Sequence, residues 1–168
     1  MSPVWNLDAV YLNEVRGSVD SEPSVITAYG KTYMTNDSTV NDSTSFVQKS
    51  VFDSASSIID GVTIDSNYIT VQEDGIYVCY FNCYFFNNTD LRTNVGVSWE
   101  INGTLQDEVS ASNYIRQASD HDEATTSMMT LYNLTSGDEL GLRFAEVGYA
   151  GSVELIGSNS VAYVRKIK

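Results

Sequence analysis

Short β-branched and aromatic runs, broken by clusters of Asn, Asp, Gly and Ser, follow one another from about residue 26 to the end of the chain. That punctuation predicts an antiparallel sandwich or barrel, and helical periodicity is nearly absent after residue 25. The predicted strands are residues 28–35, 45–52, 68–71, 75–86, 94–101, 104–109, 127–134, 139–146, 152–156 and 160–166. Residues 36–45, polar apart from Val40, predict a loop. Two connections are specific. Asn102-Gly103 lies between strand patterns, and both residues tolerate positive φ, so a two-residue type I′ hairpin is expected. Gly137 in Leu134-Thr-Ser-Gly-Asp-Glu-Leu140 sits where a left-handed residue is needed. Asp60-Gly61 and Asp74-Gly75 mark further corners.

The run from Gly75 to Phe86 differs from an ordinary half-exposed strand. Tyr77, Cys79, Phe81, Cys83 and Phe85 share one face, and Ile76, Val78, Tyr80, Tyr84 and Phe86 share the other, where only Asn82 is polar. A strand with one wet face alternates apolar with polar residues. Two apolar faces predict two coverings, the domain core on one side and a second layer or a partner subunit on the other. If a partner supplies the second covering, Tyr80, Tyr84 and Phe86 are the expected subunit interface.

The first 25 residues follow another pattern. Val4, Leu7, Tyr11 and Val15 have helical spacing, and Trp5, Val10 and Leu12 add apolar surface. A helix of barely three turns is marginal alone, so the segment reads as an amphipathic helix or an extended arm, with residues 17–24 as a linker. Val4, Trp5, Leu7 and Tyr11 are the expected docking residues for another protein. The alternative is an extra element packed on its own domain. The organisation is thus an arm and linker, 1–25, and a β-domain, 26–168.

A length of 168 residues predicts one domain, and 42% apolar with 18% charged residues is globular composition. Nine Lys plus Arg against 22 Asp plus Glu give a net charge of -13. That balance argues against nucleic acid or an anionic membrane as partner, since phosphate contacts need clustered cations. No run approaches the ~18 apolar residues of a membrane span, and the first eight residues do not resemble a signal peptide. The sequons at Asn36, Asn41, Asn87, Asn102 and Asn133 read as a by-product of an Asn/Ser/Thr-rich surface. Cys79 and Cys83 lie about 13 Å apart on one face of a strand, too far to pair, and read as small core residues. His121, among Asp120, Asp122 and Glu123, reads as a solvated loop rather than a base or a metal ligand. Those carboxylates are the best candidates for calcium, but no metal or other cofactor is expected. No nucleophile elbow, phosphate loop or zinc motif is present, and nothing selects a glycosidase pair. Tyr29, Tyr33 and Tyr149 could form a glycan patch or belong to core or interface. Arg165, Lys166 and Lys168 concentrate positive charge at the C-terminus.

Four motifs in order carry a family resemblance. Asn67-Tyr-Ile-Thr-Val-Gln-Glu-Asp-Gly75-Ile-Tyr77 looks like a strand, a Gly-x-Tyr corner and a long aromatic strand. Val97-Ser-Trp-Glu-Ile-Asn102-Gly103 looks like the hairpin that follows. Leu134-Thr-Ser-Gly137-Asp138-Glu-Leu-Gly-Leu142 is similar to a Leu-x-x-Gly-Asp-x-Val-x-Leu step, and Ser160-Val-Ala-Tyr-Val-Arg-Lys-Ile167 resembles a closing strand. Together they resemble the globular-head jelly roll of tumour necrosis factor and complement-one-q proteins, over residues 26–168. The likeness is greater to versions in tailed-bacteriophage structural proteins, because neither a collagen-like stalk nor a membrane anchor is seen. The resemblance implies a ten-strand, two-sheet jelly roll, a tight homotrimer and no catalysis. It leads to the expectation of a capsid decoration (cement) protein on the outer surface of the virion, bound to the major capsid protein. The alternative is a tail- or head-fibre tip that binds a host receptor or glycan. A soluble cytokine-like ligand is a further one.

Overall fold

The computed structural model describes residues 28–37, 39–54, 57–116 and 121–168, apart from the side chains of 107–109 and 149–150. The arm residues Val4, Trp5, Leu7 and Tyr11 lie outside the described residues. Within them run twelve strands: β1 (Tyr29–Tyr33), β2 (Val47–Gln48), β3 (Ile58–Asp60), β4 (Val62–Ile64), β5 (Ile69–Val71), β6 (Gly75–Asn87), β7 (Thr93–Ile101), β8 (Thr104–Ile115), β9 (Glu123–Leu134), β10 (Glu139–Ala150), β11 (Val153–Leu155) and β12 (Val161–Lys166). A 3-10 turn, Gly157–Asn159, precedes β12.

The strands form two six-stranded antiparallel sheets. In the first, β9, β6, β12, β1 and β3 lie side by side. β11 shares one edge of β6 with β12, pairing with residues 85–87 where β12 pairs with 77–82. In the second, the order is β4, β5, β10, β7, β8. There β5 and β2 share one edge of β10, at residues 139–140 and 143–144. The expected jelly-roll sandwich is therefore present, with two differences in its elements. Residues 58–60 and 62–64 are strands that the sequence shows only as an Asp60-Gly61 corner. Three residues are too few to display a period, and Gly61, at φ 63°, turns the chain from the first sheet to the second. Residues 45–52 shrink to a two-residue strand, whereas β8 and β9 outrun their predicted ends through Ser, Thr and Asn positions and β10 runs on through Val147 and Gly148.

The inner faces meet in one apolar core. Tyr77, Cys79, Phe81, Cys83 and Phe85 of β6 are fully buried, as are Val95, Val97 and Trp99 of β7 and Leu140, Leu142 and Phe144 of β10. Rings interlock across the sheets, Phe81 on Trp99 at 5.8 Å between centroids and Phe85 edge-on to Phe144 at 6.3 Å. Burial pushes the Cys79 thiol up to about 12 and raises that of Cys83 as well. Both cysteines are free, as expected of small core residues. Gly157 closes one corner, where a β-carbon would stand 2.2 Å from the Met34 carbonyl oxygen. Gly157→Ala must displace backbone and is expected to cost about 1–3 kcal/mol, read as a lower urea midpoint at unchanged slope.

Hydrogen bonds stitch the turns at one end of the sandwich. Asn102 (φ 51°) and Gly103 (φ 74°) make the expected type I′ hairpin, and Gly137 adopts φ 95°. Asn102 Nδ2 donates to Asp138 Oδ1 (2.7 Å), and the Glu139 N–H donates to Asn102 Oδ1 (2.9 Å). Ser136 N–H reaches Asp74 Oδ1 (2.8 Å), and Gly137 N–H reaches the Val71 carbonyl (2.8 Å). The Asp138 carboxyl is held below its ordinary 3.8, first by the Thr135 N–H and then by the Asn102 amide. A depressed carboxyl stabilises the fold fully above its unfolded value and less as pH falls through its lower folded one. Asp138→Asn should accordingly lower stability near neutral pH and flatten the acid limb of a pH–stability curve followed by circular dichroism.

The outer side of the second sheet carries a buried ion pair. Glu100 is fully buried and is bonded to Arg143 Nε, while Arg143 Nη2 donates to the Gly103 carbonyl at 2.8 Å. The phenol of Tyr68 is raised, first by burial and then by the charge and hydrogen bond of Glu100. Gly141 leaves room for this layer, since a β-carbon there would lie 2.6 Å from Glu100 Oε1.

Two of the five sequon asparagines prove to be structural. Asn41 is buried, donating from Nδ2 to Thr93 Oγ1 (3.0 Å) and the Gly151 carbonyl (2.6 Å) while Oδ1 accepts from Val153 N–H (2.8 Å). Asn87 is buried too and holds the Leu91 carbonyl. These two do not belong to the polar surface to which sequence reasoning assigned them.

Candidate functional site

The even-numbered residues of β6 point away from the sandwich, and register shows what stands beside each. Tyr80 lies between Met129 of β9 and Tyr163 of β12, and Tyr163 in turn faces Lys31 of β1, beyond which comes Ile58 of β3. A parallel row runs Leu131, Val78, Arg165, Tyr29, Asp60. On the other side the row is Ser127, Asn82, Val161, Tyr33. The outer face of the first sheet is thus a tyrosine-rich field five strands wide. Strands about 4.8 Å apart and a rise of about 3.3 Å per residue give it an extent of roughly 500 Å². Lys31, Arg165, Asp60, Asn82 and Ser127 interrupt it, so its apolar part is smaller than that.

Exposure follows position. Tyr80, Tyr84 and Phe86 are half-buried within the single chain, whereas the inner residues of the same strand are fully buried. The outer covering expected for β6 is therefore not supplied by the described part of the chain. Met129 is 72% exposed and Leu131 59% exposed, both on the edge strand β9. Solvating two large apolar side chains on an edge is the arrangement that stable monomers avoid.

Charge divides the face. Lys31 lies in the Tyr80 row and Arg165 in the Val78 row that ends on Asp60, with Lys31 Nζ stacked 5.1 Å from the centre of the Tyr33 ring, a favourable cation–π geometry. At one end Phe86 stands between Glu123 and Glu154 in register. The phenol of neighbouring Tyr84 is raised, first by its hydrogen bond to Glu123 and then by burial and the charges of Glu123 and Asp122. The face is thus acidic at the Phe86 end, while its cations lie in the Tyr80 and Val78 rows.

The predicted interface residues Tyr80, Tyr84 and Phe86 all belong to this surface. Sequence reasoning missed Tyr163, Val161, Met129 and Leu131. Val161 and Tyr163 alternate with buried Ala162 and Val164, the same double-sided pattern that singled out β6. The β9 pair is less visible, because Thr and Ser around Met129 dilute its face. Of the glycan-patch candidates, Tyr29 and Tyr33 lie together on β1 at the rim of the field, while the Tyr149 side chain lies outside the described residues. His121 is exposed, Asp120 lies outside the described residues, and no group of three or more His, Cys, Asp or Glu side chains able to hold a metal occurs among the described residues.

No family model matches the chain, and no curated protein matches it. Solved structures do. The crystal structure of murine APRIL at pH 8.0 matches with a TM-score of 0.54 at 15% identity, covering 83% of this chain and 98% of that chain. Eiger TNF from S. frugiperda matches with 0.54 at 14% identity, covering 84% and 91%. Murine APRIL at pH 5.0 gives 0.52 at 12% identity, covering 83% and 98%. The fold is the tumour necrosis factor-like jelly roll. Identities this low carry the architecture alone, so what the tyrosine field meets is a matter of its own chemistry.

Proposed function

We propose that the protein is a non-catalytic assembly subunit that closes into a homotrimer on the tyrosine field of its first sheet. In this reading it serves as a decoration protein on the outer surface of a bacteriophage capsid. The row Met129, Tyr80, Tyr163 is the observation that carries the trimer. Its rings and thioether are apolar, adjacent and only partly covered, and tyrosine suits an interface because the ring buries while the hydroxyl finds a partner. Three copies around an axis let an edge, here β9 with Met129 and Leu131, meet the field of the next copy without leaving either exposed. Capsid decoration rests on sequence. The chain is strongly acidic, with -39 formal charges for three copies of -13, which suits an exterior that must stay soluble. It also carries an apolar arm whose Val4, Trp5, Leu7 and Tyr11 fit docking on the major capsid protein. Repeated modest contacts then sum to strong attachment through avidity.

Native mass spectrometry should give a trimer at micromolar concentration, and cryo-EM should place the chain on the head. Removing residues 1–25 should leave the trimer intact and abolish capsid binding. A monomeric full-length chain overturns the assembly reading. An intact trimer that still decorates without the arm overturns the docking role alone.

A further inference from the structure

The sequence contains a single Asn–Gly step, Asn102–Gly103. Glycine has no β-carbon to hinder its nitrogen, so the Gly103 amide nitrogen can attack Asn102 Cγ. The new C–N bond closes a succinimide, the Cγ–Nδ2 bond breaks, and ammonia leaves with the proton given up by the glycine nitrogen. Water then opens the ring to aspartate or isoaspartate, with no change of oxidation state. Asn102 is exposed at the hairpin tip, where water and hydroxide have free access.

Its side chain, however, is fastened at both ends to another part of the fold. Nδ2 donates to Asp138 Oδ1 at 2.7 Å, and Oδ1 accepts the Glu139 N–H at 2.9 Å. The Asn102 N–H donates to the Glu139 carbonyl at 2.9 Å. Asp138 is itself held, its Oδ2 accepting from Thr135 N–H (2.8 Å) and Oγ1 (3.1 Å). We propose that Asn102–Gly103 is a self-modification site held latent by the Asp138–Glu139 clamp. To react, the amide must swing off both partners onto its own backbone, and the negative charge that develops on Oδ1 during attack would form beside the Asp138 carboxylate. A charge-assisted hydrogen bond is the stronger kind, so the fastening outweighs the exposure. Once modified, the site cannot refasten. A carboxylate replaces the Nδ2 donor opposite Asp138, and isoaspartate adds a main-chain atom to a two-residue turn. The side-chain bonds that tie the β7–β8 turn to the β9–β10 turn are then lost.

The test is the rate of deamidation in mildly alkaline buffer at physiological temperature, read by peptide mass and isoaspartate content at residue 102. Full-length folded protein should react at least tenfold more slowly than the same chain unfolded in guanidinium. Asp138→Ala, checked for fold by circular dichroism, should speed the folded protein by on the order of tenfold, the loss of one hydrogen bond to a charged group. Asp138→Asn keeps an oxygen acceptor for Nδ2 but loses the charge, and its rate should fall between those of the unmodified sequence and Asp138→Ala. Equal rates in folded and unfolded protein would overturn the proposal. So would a folded Asp138→Ala protein that deamidates no faster. Should the alanine variant fail to fold, the folded-against-unfolded ratio and the asparagine variant decide.

Discussion

Replacing Tyr80 and Tyr163 together by aspartate is expected to hold the protein as a folded monomer at concentrations where the proposed trimer forms from the unmodified chain. Both side chains are half-buried on the outer face of the first sheet and adjacent in register. The substitution therefore puts no charge into the subunit's own core, and the thermal transition should survive. The interface suffers instead. Full burial of an aromatic side chain is worth roughly 1.5–3 kcal/mol. About half of that is already gained within the chain, so two tyrosines in three copies account for roughly 5–9 kcal/mol per trimer. Aspartates in a dry contact would add a desolvation penalty to that loss. Sedimentation velocity across a dilution series reads the outcome. Loss of the trimer together with loss of the circular-dichroism spectrum would show that the face serves folding rather than assembly.

The second large effect belongs to the opposite sheet. Arg143→Met is expected to destabilise the subunit by about 3–5 kcal/mol, because it strands a buried carboxylate with no counter-charge. Glu100 is fully buried, whereas Arg143 keeps partial access to water. Glu100→Gln should cost less, since arginine can turn to solvent and the amide still accepts a hydrogen bond. Combining Arg143→Met with Glu100→Leu should recover most of the loss, as apolar pairs of similar volume often replace buried ion pairs without penalty. Urea unfolding of the two single variants and the double variant gives the coupling directly. A small effect of Arg143→Met would mean that water or Tyr68 stabilises the carboxylate unaided.

The two effects also show what the chain discloses before it folds. β6 was readable because both of its faces are apolar, a pattern that needs no knowledge of its neighbours. The Asn102 and Gly137 turns were readable because backbone stereochemistry admits few residues at positive φ. The clamp between them was not, because nothing local relates Asn102 to Asp138, 36 residues away. The Glu100–Arg143 pair was hidden for the same reason, being 43 residues apart in sequence and brought together, diagonally across the ladder, only after β7 and β10 pair. Met129 and Leu131 look unremarkable within a Thr-rich strand and become conspicuous once register sets them beside Tyr80 and Val78. Short strands such as β3 and β4 escape because three residues carry no period at all.

The pairing of β1 with β12, from Tyr29 opposite Arg165 to Tyr33 opposite Val161, has a consequence for biogenesis. Tyr29 and Arg165, 136 positions apart, sit side by side in the interior of one sheet. During synthesis β1 can pair early with β3, but its other edge, like that of β6, waits for β12. The first sheet cannot close until β12 has been made. Chains terminated before β12 thus lack Val161, Tyr163 and Arg165, and with them the bridge between β6 and β1.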